Sequence, residues 1–577
     1  MKFAISPLRR LGRAVLAVLV ALLSAAAATH SQAQTDPVDQ AEACRSLEGG
    51  RFQDLPGAPT QVVRATYRPA TTESAAVCAV EGYVNPTVNF GLLLPATGWN
   101  GKYLVRGCGG SCGSVLVDLA CKWHVRDGYA CLHTDMGHRS TLSDNNWTAN
   151  NLQGLVDFGY RATHVTTVAG KAITEAFYSR APQKSYFFAC STGGRQGLVE
   201  AQRFPQDFDG IIAIAPASMA PFGERTPASQ FDVDVFNVRA DGTSILPNRK
   251  ALLVHRAVVE RCDVNDGVKD GLIGDPRQCK FDPAELQCKG SDTSSCLTTE
   301  QVDVVRKIYA GRGAQRGSEF NWIGNYLRNA ALPGEKSRAI PYLGDGRGDP
   351  TVIDTLNSPN NPDLRPFKAR GGKLILVHGW ADQSVAPLPT VDYYETVTRT
   401  MGGADATLPF ARLFMIPGMD HCAGGKGAYA INYMAALEDW VERGQAPDKL
   451  VGIHPKPGSP LDYFGTNLSR VDPKHFAFSR EHAAYPQRSP VGKVPPPQAI
   501  TGSLADTLTS AETFAAGSAF PRRSVLNYML KALWERFDRE DWSADQAKAA
   551  LAAIPTAGLS ALARDAVSRM QLELAQN

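Results

Sequence analysis

The chain predicts an α/β protein, a mostly parallel sheet covered by helices and split by a large insertion. Three features carry that expectation. Short β-rich runs alternate with helical stretches up to Ile214 and resume at Lys373, the rhythm of strands joined by helical crossovers. Between them lie about 150 residues rich in Asp, Asn, Gly and Pro, too many for a structureless loop in a compact domain. An apolar run ending at Ala189 then meets Cys190-Ser191-Thr192-Gly193-Gly194 and a helical stretch, which reads as strand, sharp turn and helix with a serine on the turn.

In chain order, Lys2, Arg9, Arg10 and Arg13 precede an apolar run over 14–28, and Ser31-Gln32-Ala33 supplies small residues for cleavage. Residues 1–33 therefore read as a secretory signal peptide. The run is short for a membrane span of about 20 residues, so an anchor is the weaker reading. The first part of the core, 34–215, should hold strands over 102–105, 130–134, 185–189 and 210–214, with helices over 160–178 and 194–203. Residues 216–370 are expected to form a lid domain. The core resumes over 371–490 with strands at 373–377 and 412–416. Pro495-Pro496-Pro497 signals a linker, and residues 491–577 end in helical stretches at 523–537 and 543–552 with Trp534 and Trp542 as packing anchors.

Removing the signal takes away four basic residues and no acidic one, so the formal net charge of +3 becomes −1. Near neutrality argues against a nucleic-acid or anionic-membrane partner. No later segment reads as transmembrane, so no membrane association is expected after cleavage. All 12 cysteines follow the signal, and an even count in an exported chain reads as disulfides. The chain is long enough to build a core without them, so the bridges are expected to pin loops. Cys108, Cys112, Cys121 and Cys131 have a spacing that fits zinc poorly, and their pairing stays open.

Cys190 directly precedes Ser191, and Cys422 directly follows His421. A disulfide holds its Cα atoms about 4.4–6.8 Å apart, so a bridge between them would bring a serine nucleophile near its base. Ala189 stands where the common Gly-x-Ser-x-Gly elbow has its first glycine, a change that adds only a methyl group. The competing role for Ser191 is a helix N-cap. Asp382 follows the strand at 373–377 in His378-Gly379-Trp380-Ala381-Asp382 and is expected to orient the imidazole. Asp420 is its rival, but adjacent residues seldom face each other squarely. His378 is the rival base and is better suited to shaping the pocket.

The order Ser191, Asp382, His421 is that of α/β-hydrolases, so the expected architecture is an α/β-hydrolase fold with a large inserted lid domain. The oxyanion of a tetrahedral intermediate needs fixed N–H donors. Thr192, just after the nucleophile, should supply one. The glycine-rich Arg106-Gly107-Cys108-Gly109-Gly110-Ser111-Cys112-Gly113 should supply another from Gly109 or Gly110, the plainer reading being an ordinary tight turn.

These stretches resemble the tannase and feruloyl esterase family. The resemblance is carried by Cys108-Gly-Gly-Ser-Cys-Gly, Thr134-Asp135-Met136-Gly137-His138, Asp157-Phe158-Gly159-Tyr160-Arg161 and Cys190-Ser191-Thr192-Gly193-Gly194-Arg195-Gln196-Gly197. Gln202-Arg203-Phe204-Pro205, His378 to Asp382 and Asp420-His421-Cys422 complete it, over roughly Cys44 to Tyr485. The resemblance implies a Ser191–His421–Asp382 triad beside a Cys190–Cys422 bridge.

It also implies a structural calcium ion in the lid, held by Asp263, Asp266 and Asp270 with backbone carbonyls of Val268 and Leu272. Hard carboxylate oxygens suit that ion, although spacing alone favours a solvated Asp-Gly turn. Cys262–Cys279 would close this loop, with Cys288–Cys296 and Cys44–Cys78 as further bridges. Two departures stand out: 480–486 lacks the cysteine usual before the Tyr-Pro pair, and the tail beyond the proline run falls outside the family pattern.

The expected reaction is hydrolysis of a small aromatic ester through an acyl-enzyme, the acid being hydroxycinnamic, gallic or benzoic. Hydrolysis of a terephthalate half-ester is the alternative. Lid residues Trp322, Tyr326 and Tyr342 are candidates to line the slot and Arg338 to pair with a substrate carboxylate, though each has a plainer role as core or solvated residue. A non-catalytic binding protein on a hydrolase fold is the remote competitor.

Overall fold

The computed structural model describes residues 37–487 except 73, 141–145, 149, 218–236, 238, 240–244, 310–355, 357, 383–384, 386 and 463. The signal peptide, the proline linker and its following helices, and Trp322, Tyr326, Arg338 and Tyr342 lie outside the described residues.

Nine strands build the main sheet: β1 (Thr60–Arg68), β2 (Val77–Val84), β3 (Val88–Pro95), β4 (Lys102–Arg106), β5 (Ala130–Thr134), β6 (Lys184–Cys190), β7 (Gly210–Ile214), β8 (Lys373–Gly379) and β9 (Ala411–Ile416). Their order is β1-β2-β3-β5-β4-β6-β7-β8-β9. From β5 to β9 every neighbouring pair is parallel, whereas β1, β2, β3 and β5 pair antiparallel. The six strands expected from sequence are β4 to β9, each within two residues of its expected bounds.

The parallel strands are apolar throughout because both of their faces are covered. Phe187, Ala189, Ile211, Ala213, Leu374 and Leu376 point into one core, while Tyr186, Phe188, Ile212, Ile214, Ile375 and Val377 point into the other. Helix α1 (Pro37–Ser46) brings Cys44 to the first core, and α2 (Val117–Arg126) closes the second with Cys121 and Val125. Helices α3 (Ala162–Tyr178) and α4 (Thr192–Arg203) cover the first core with Val165, Ala169, Ile173 and Leu198. The expected helix over 160–178 begins inside a π-helical turn, Asp157–Arg161, and α4 begins two residues earlier than expected.

The inserted segment has its own small core. Helix α5 (Asn248–Cys262) and helix α6 (Thr299–Tyr309) enclose Leu246, Val254, Val258, Ile273, Leu297 and Val305, separate from both faces of the sheet. A core of its own is what a lid domain needs to hold shape. Helix α7 (Leu388–Thr400) then packs on the first face and α8 (Tyr433–Arg443) on the second. A three-stranded sheet of β10 (Ala430–Ile431), β11 (Lys449–Pro455) and β12 (Phe476–Ala483) completes the described chain.

Six disulfides use every cysteine. Cys190–Cys422, Cys262–Cys279, Cys288–Cys296 and Cys44–Cys78 pair as the family resemblance implied. The open set resolves into Cys108–Cys112, within the glycine-rich loop, and Cys121–Cys131, which ties α2 to β5.

Candidate active site

Ser191 sits where β6 turns into α4, at φ 63° and ψ −125°. A non-glycine residue rarely adopts that conformation, and its strain persists only where the surroundings over-determine it. Here the Ser191 N–H donates to the Ile214 carbonyl on β7 at 2.9 Å, and its carbonyl accepts from Arg195 and Ala217. Gly193 and Gly194 permit the turn. A Cβ on Gly193 would meet the Ala189 methyl and the Cys108 carbonyl, and one on Gly194 would meet the Ile214 carbonyl.

The Cys190–Cys422 bridge spans 232 residues and holds the two Cα atoms 5.7 Å apart. The His421 ring nitrogen lies within 4.8 Å of both sulfurs. Cys422 itself has φ 69°. The structure thus brings the elements bearing Ser191 and His421 together.

His421 Nδ1 is 2.8 Å from Asp382 Oδ2. Asp382 is buried in the loop after β8, where its Oδ1 accepts the Val385 N–H at 2.8 Å. Burial alone would raise its carboxyl, but His421 and His378 beside it hold it well below the usual carboxylate range. It therefore stays charged, as a group facing an imidazolium must.

His378 requires a correction. It was expected to shape the substrate pocket, yet it is fully buried. Its Nε2 lies 3.2 Å from Asp382 Oδ2 and 3.0 Å from the Val385 carbonyl, and its Nδ1 is 2.8 Å from Thr390 Oγ1. The strand β8 that carries it points it behind the acid. Asp420, the rival acid, lies in a tight turn with its N–H on the Gly424 carbonyl.

The glycine-rich loop meets the first turn of α4. Thr192 Oγ1 donates to the Gly110 carbonyl at 2.8 Å, Gly110 has φ 56°, and the Gly109 carbonyl accepts the Cys112 N–H. Two groups with no role assigned from sequence, His138 and Gln196, fix this loop, and a third, Arg195, fixes the turn beside it. His138 Nε2 is 2.7 Å from the Ser111 carbonyl, and its ring stacks on Trp147 at 3.6 Å. Gln196 on α4 donates to Cys108 Sγ at 3.1 Å. Arg195, buried, donates to the Phe158 and Gly159 carbonyls at 2.7 and 2.8 Å and so seats the π-helical turn against α4. The family motifs around 134–138 and 157–161 were the available signal. The first supplies His138 to the loop and the second supplies the carbonyls that Arg195 holds.

The lid acids fold into one loop. Asp263 accepts the N–H groups of Asp270 and Gly271, Asp266 that of Val268, and Asp270 that of Leu272. Arg480 on β12 reaches across, with Nη1 3.0 Å from Asp270 and Nη2 3.2 Å from Asp266. Two of the three carboxylates thus share one guanidinium while Asp263 is held by backbone N–H groups, and burial pushes Asp270 up despite Arg480. Hard oxygens carrying excess negative charge fit a divalent calcium ion. The three acids are not among the described clusters whose ligand atoms all fall within 4.8 Å, so an ion would draw them inward.

The tannase and feruloyl esterase family model matches residues 72–330 and 350–490. The chain is 31% identical to mono(2-hydroxyethyl) terephthalate hydrolase from Piscinibacter sakaiensis, covering 74% of this chain and 87% of the relative. It is 32% identical to a probable feruloyl esterase B-2 from Aspergillus flavus, covering 67% and 81%. The crystal structure of feruloyl esterase B from Aspergillus oryzae superposes with a TM-score of 0.62 at 26% identity, covering 78% of this chain and 96% of that one. This chain belongs to the tannase and feruloyl esterase family and is a carboxylic ester hydrolase of α/β-hydrolase fold.

Proposed function

We propose that the protein is a secreted serine esterase that cleaves esters of aromatic acids, of hydroxycinnamic, gallic or benzoic type, through an acyl-enzyme. The observation that carries this reading is the strained Ser191 turn bridged through Cys190–Cys422 to His421, whose ring is held by buried Asp382. With Nδ1 on the acid, His421 keeps Nε2 for the serine. It takes the Ser191 proton as the hydroxyl attacks the ester carbonyl, returns it to the leaving alcohol, and then activates water to free the acid. The N–H groups of Thr192 and of Gly109 or Gly110 face the oxyanion.

Export is supported by the signal-like leader and by a chain without a free cysteine. No helix among the described residues is long and apolar enough to cross a membrane. In the lid, a calcium ion would be held by the carboxylates of Asp263, Asp266 and Asp270 and the carbonyls of Val268 and Leu272. It would neutralise the loop and take no part in ester chemistry.

A second reading, hydrolysis of mono(2-hydroxyethyl) terephthalate to terephthalate and ethylene glycol, is favoured by the relative of that name. Comparing kcat/KM on methyl ferulate, methyl gallate and mono(2-hydroxyethyl) terephthalate separates the two. Folded Ser191→Ala protein should lose turnover on all three substrates. If it retains turnover, Ser191 is not the nucleophile.

A further inference from the structure

Away from the esterase centre, three metal-ligating side chains converge at the opposite end of α4. Glu200 on α4, His164 on α3 and Asp207 in the turn before β7 each offer one atom, and all three atoms lie within 4.8 Å of one another. Glu200 lies nine residues along the chain from Ser191, about 13 Å along a helix axis.

Glu200 is 1% exposed, and its oxygens have no donor other than a proton shared with Asp207. A buried carboxylate without a donor is costly. What faces it is a second carboxylate, that of Asp207, and burial together with this neighbour pushes Glu200 far up. His164 Nδ1 points into the same space, 2.6 Å from Asp207 Oδ2. Its ring is fixed by stacking on Phe204 at 3.9 Å with 5° between planes. The nearby cation, Lys171, places its Nζ on the Asp207 main-chain carbonyl rather than on either carboxylate. Arg370 and Lys184 are drawn to Asp209 instead.

We propose that His164, Glu200 and Asp207 form a binding site for a zinc-class divalent ion that ties α3, α4 and the β7 turn together. One nitrogen and two oxygens suit a first-row transition metal, whereas calcium takes an all-oxygen shell of six to eight ligands. Metal–ligand bonds of about 2.0–2.2 Å would replace the His164–Asp207 hydrogen bond that now spans part of this space. The His164 side chain is 25% exposed, which leaves a route in from solvent. The site is independent of the ester chemistry.

The test is equilibrium dialysis of tag-free, full-length protein against zinc with calcium in excess, followed by elemental analysis. Wild type should retain about one zinc per chain, with a rise in melting temperature that tracks zinc concentration. Glu200→Gln and His164→Phe should each lose that zinc, the phenylalanine keeping the stack on Phe204. Asp263→Asn should keep it. His164 is partly exposed, so its variant carries the test if Glu200→Gln fails to fold. No zinc on wild type overturns the site, even if Glu200→Gln alters stability with pH, because the acid pair would then share only a proton. Equal uptake by wild type and the folded variants overturns it as well.

Discussion

His378 Nε2 lies 3.2 Å from Asp382 Oδ2, the same oxygen that His421 approaches from the solvent side at 2.8 Å. The acid is therefore held between two imidazoles, one of them fully buried. A hydrogen bond to a charged group contributes about 1.5–3 kcal/mol, so His378→Leu should cost roughly tenfold to a hundredfold in kcat while KM changes little. His378→Gln, which keeps an N–H donor, should recover part of the loss. A folded His378→Leu enzyme with wild-type kcat on methyl ferulate would show that Asp382 needs no such support.

The bridge beside the serine makes a different prediction. Cys422 has φ 69°, a conformation that a non-glycine side chain holds only under constraint. Replacing both Cys190 and Cys422 by alanine frees that turn, and the neighbouring His421 should lose its alignment. We expect kcat at 20 °C, well below the melting transition, to fall at least tenfold. Chain entropy for a loop of this length sets an upper bound of about 5 kcal/mol on the accompanying loss of stability. A lowered melting temperature with unchanged kcat would make the bridge a staple only.

The same two cysteines show what the sequence could and could not reveal. Ser191 and His421 were legible because each stands beside a cysteine at the end of an apolar run, and continuous apolar runs mark buried parallel strands. Strand β1, at the sheet edge, carries no clear signal because exposed and buried residues alternate irregularly along Thr60–Arg68, whereas β2 and β3 are buried almost throughout although they pair antiparallel. The two-residue β10 is too short for any pattern to register. The position of His378 is not legible in sequence, because nothing local to it says whether a residue at a strand's end faces a ligand or the back of the acid. Arg195 and His138 act through backbone carbonyls distant in sequence, which only the fold brings near.

Chelation tests the lid loop. If calcium occupies Asp263, Asp266 and Asp270, its removal leaves Asp266 and Asp270 on Arg480 and Asp263 on backbone N–H groups. The melting temperature should drop by several degrees on adding chelator and recover with calcium, since a ligand of the folded state stabilises by mass action. Turnover at 25 °C should persist while the protein stays folded, and Asp270→Asn should reproduce the apo melting temperature. Immediate loss of turnover, without unfolding, would assign the metal to the ester chemistry instead.

Buried His133 links stability to pH. Its Nδ1 accepts the Leu116 N–H at 3.2 Å, so the folded ring must keep that lone pair. Burial, then the nearby Arg106 charge, lowers its pKa from the ordinary 6.5 to about 4. The sign follows from linkage: below pH 6.5 the unfolded chain takes up a proton that the folded chain refuses until about pH 4, so stability falls through that window as pH drops. The difference amounts to roughly 3 kcal/mol for this one group. Asp135, raised to about 6 by burial, acts in the opposite direction over part of the same range, so the total slope is not diagnostic. Comparison with His133→Gln isolates the contribution of this ring, because glutamine can accept the same N–H but does not titrate. Urea unfolding at pH 7 and pH 4 should show the variant losing less stability than wild type between the two, and equal losses would mean that His133 protonates without penalty.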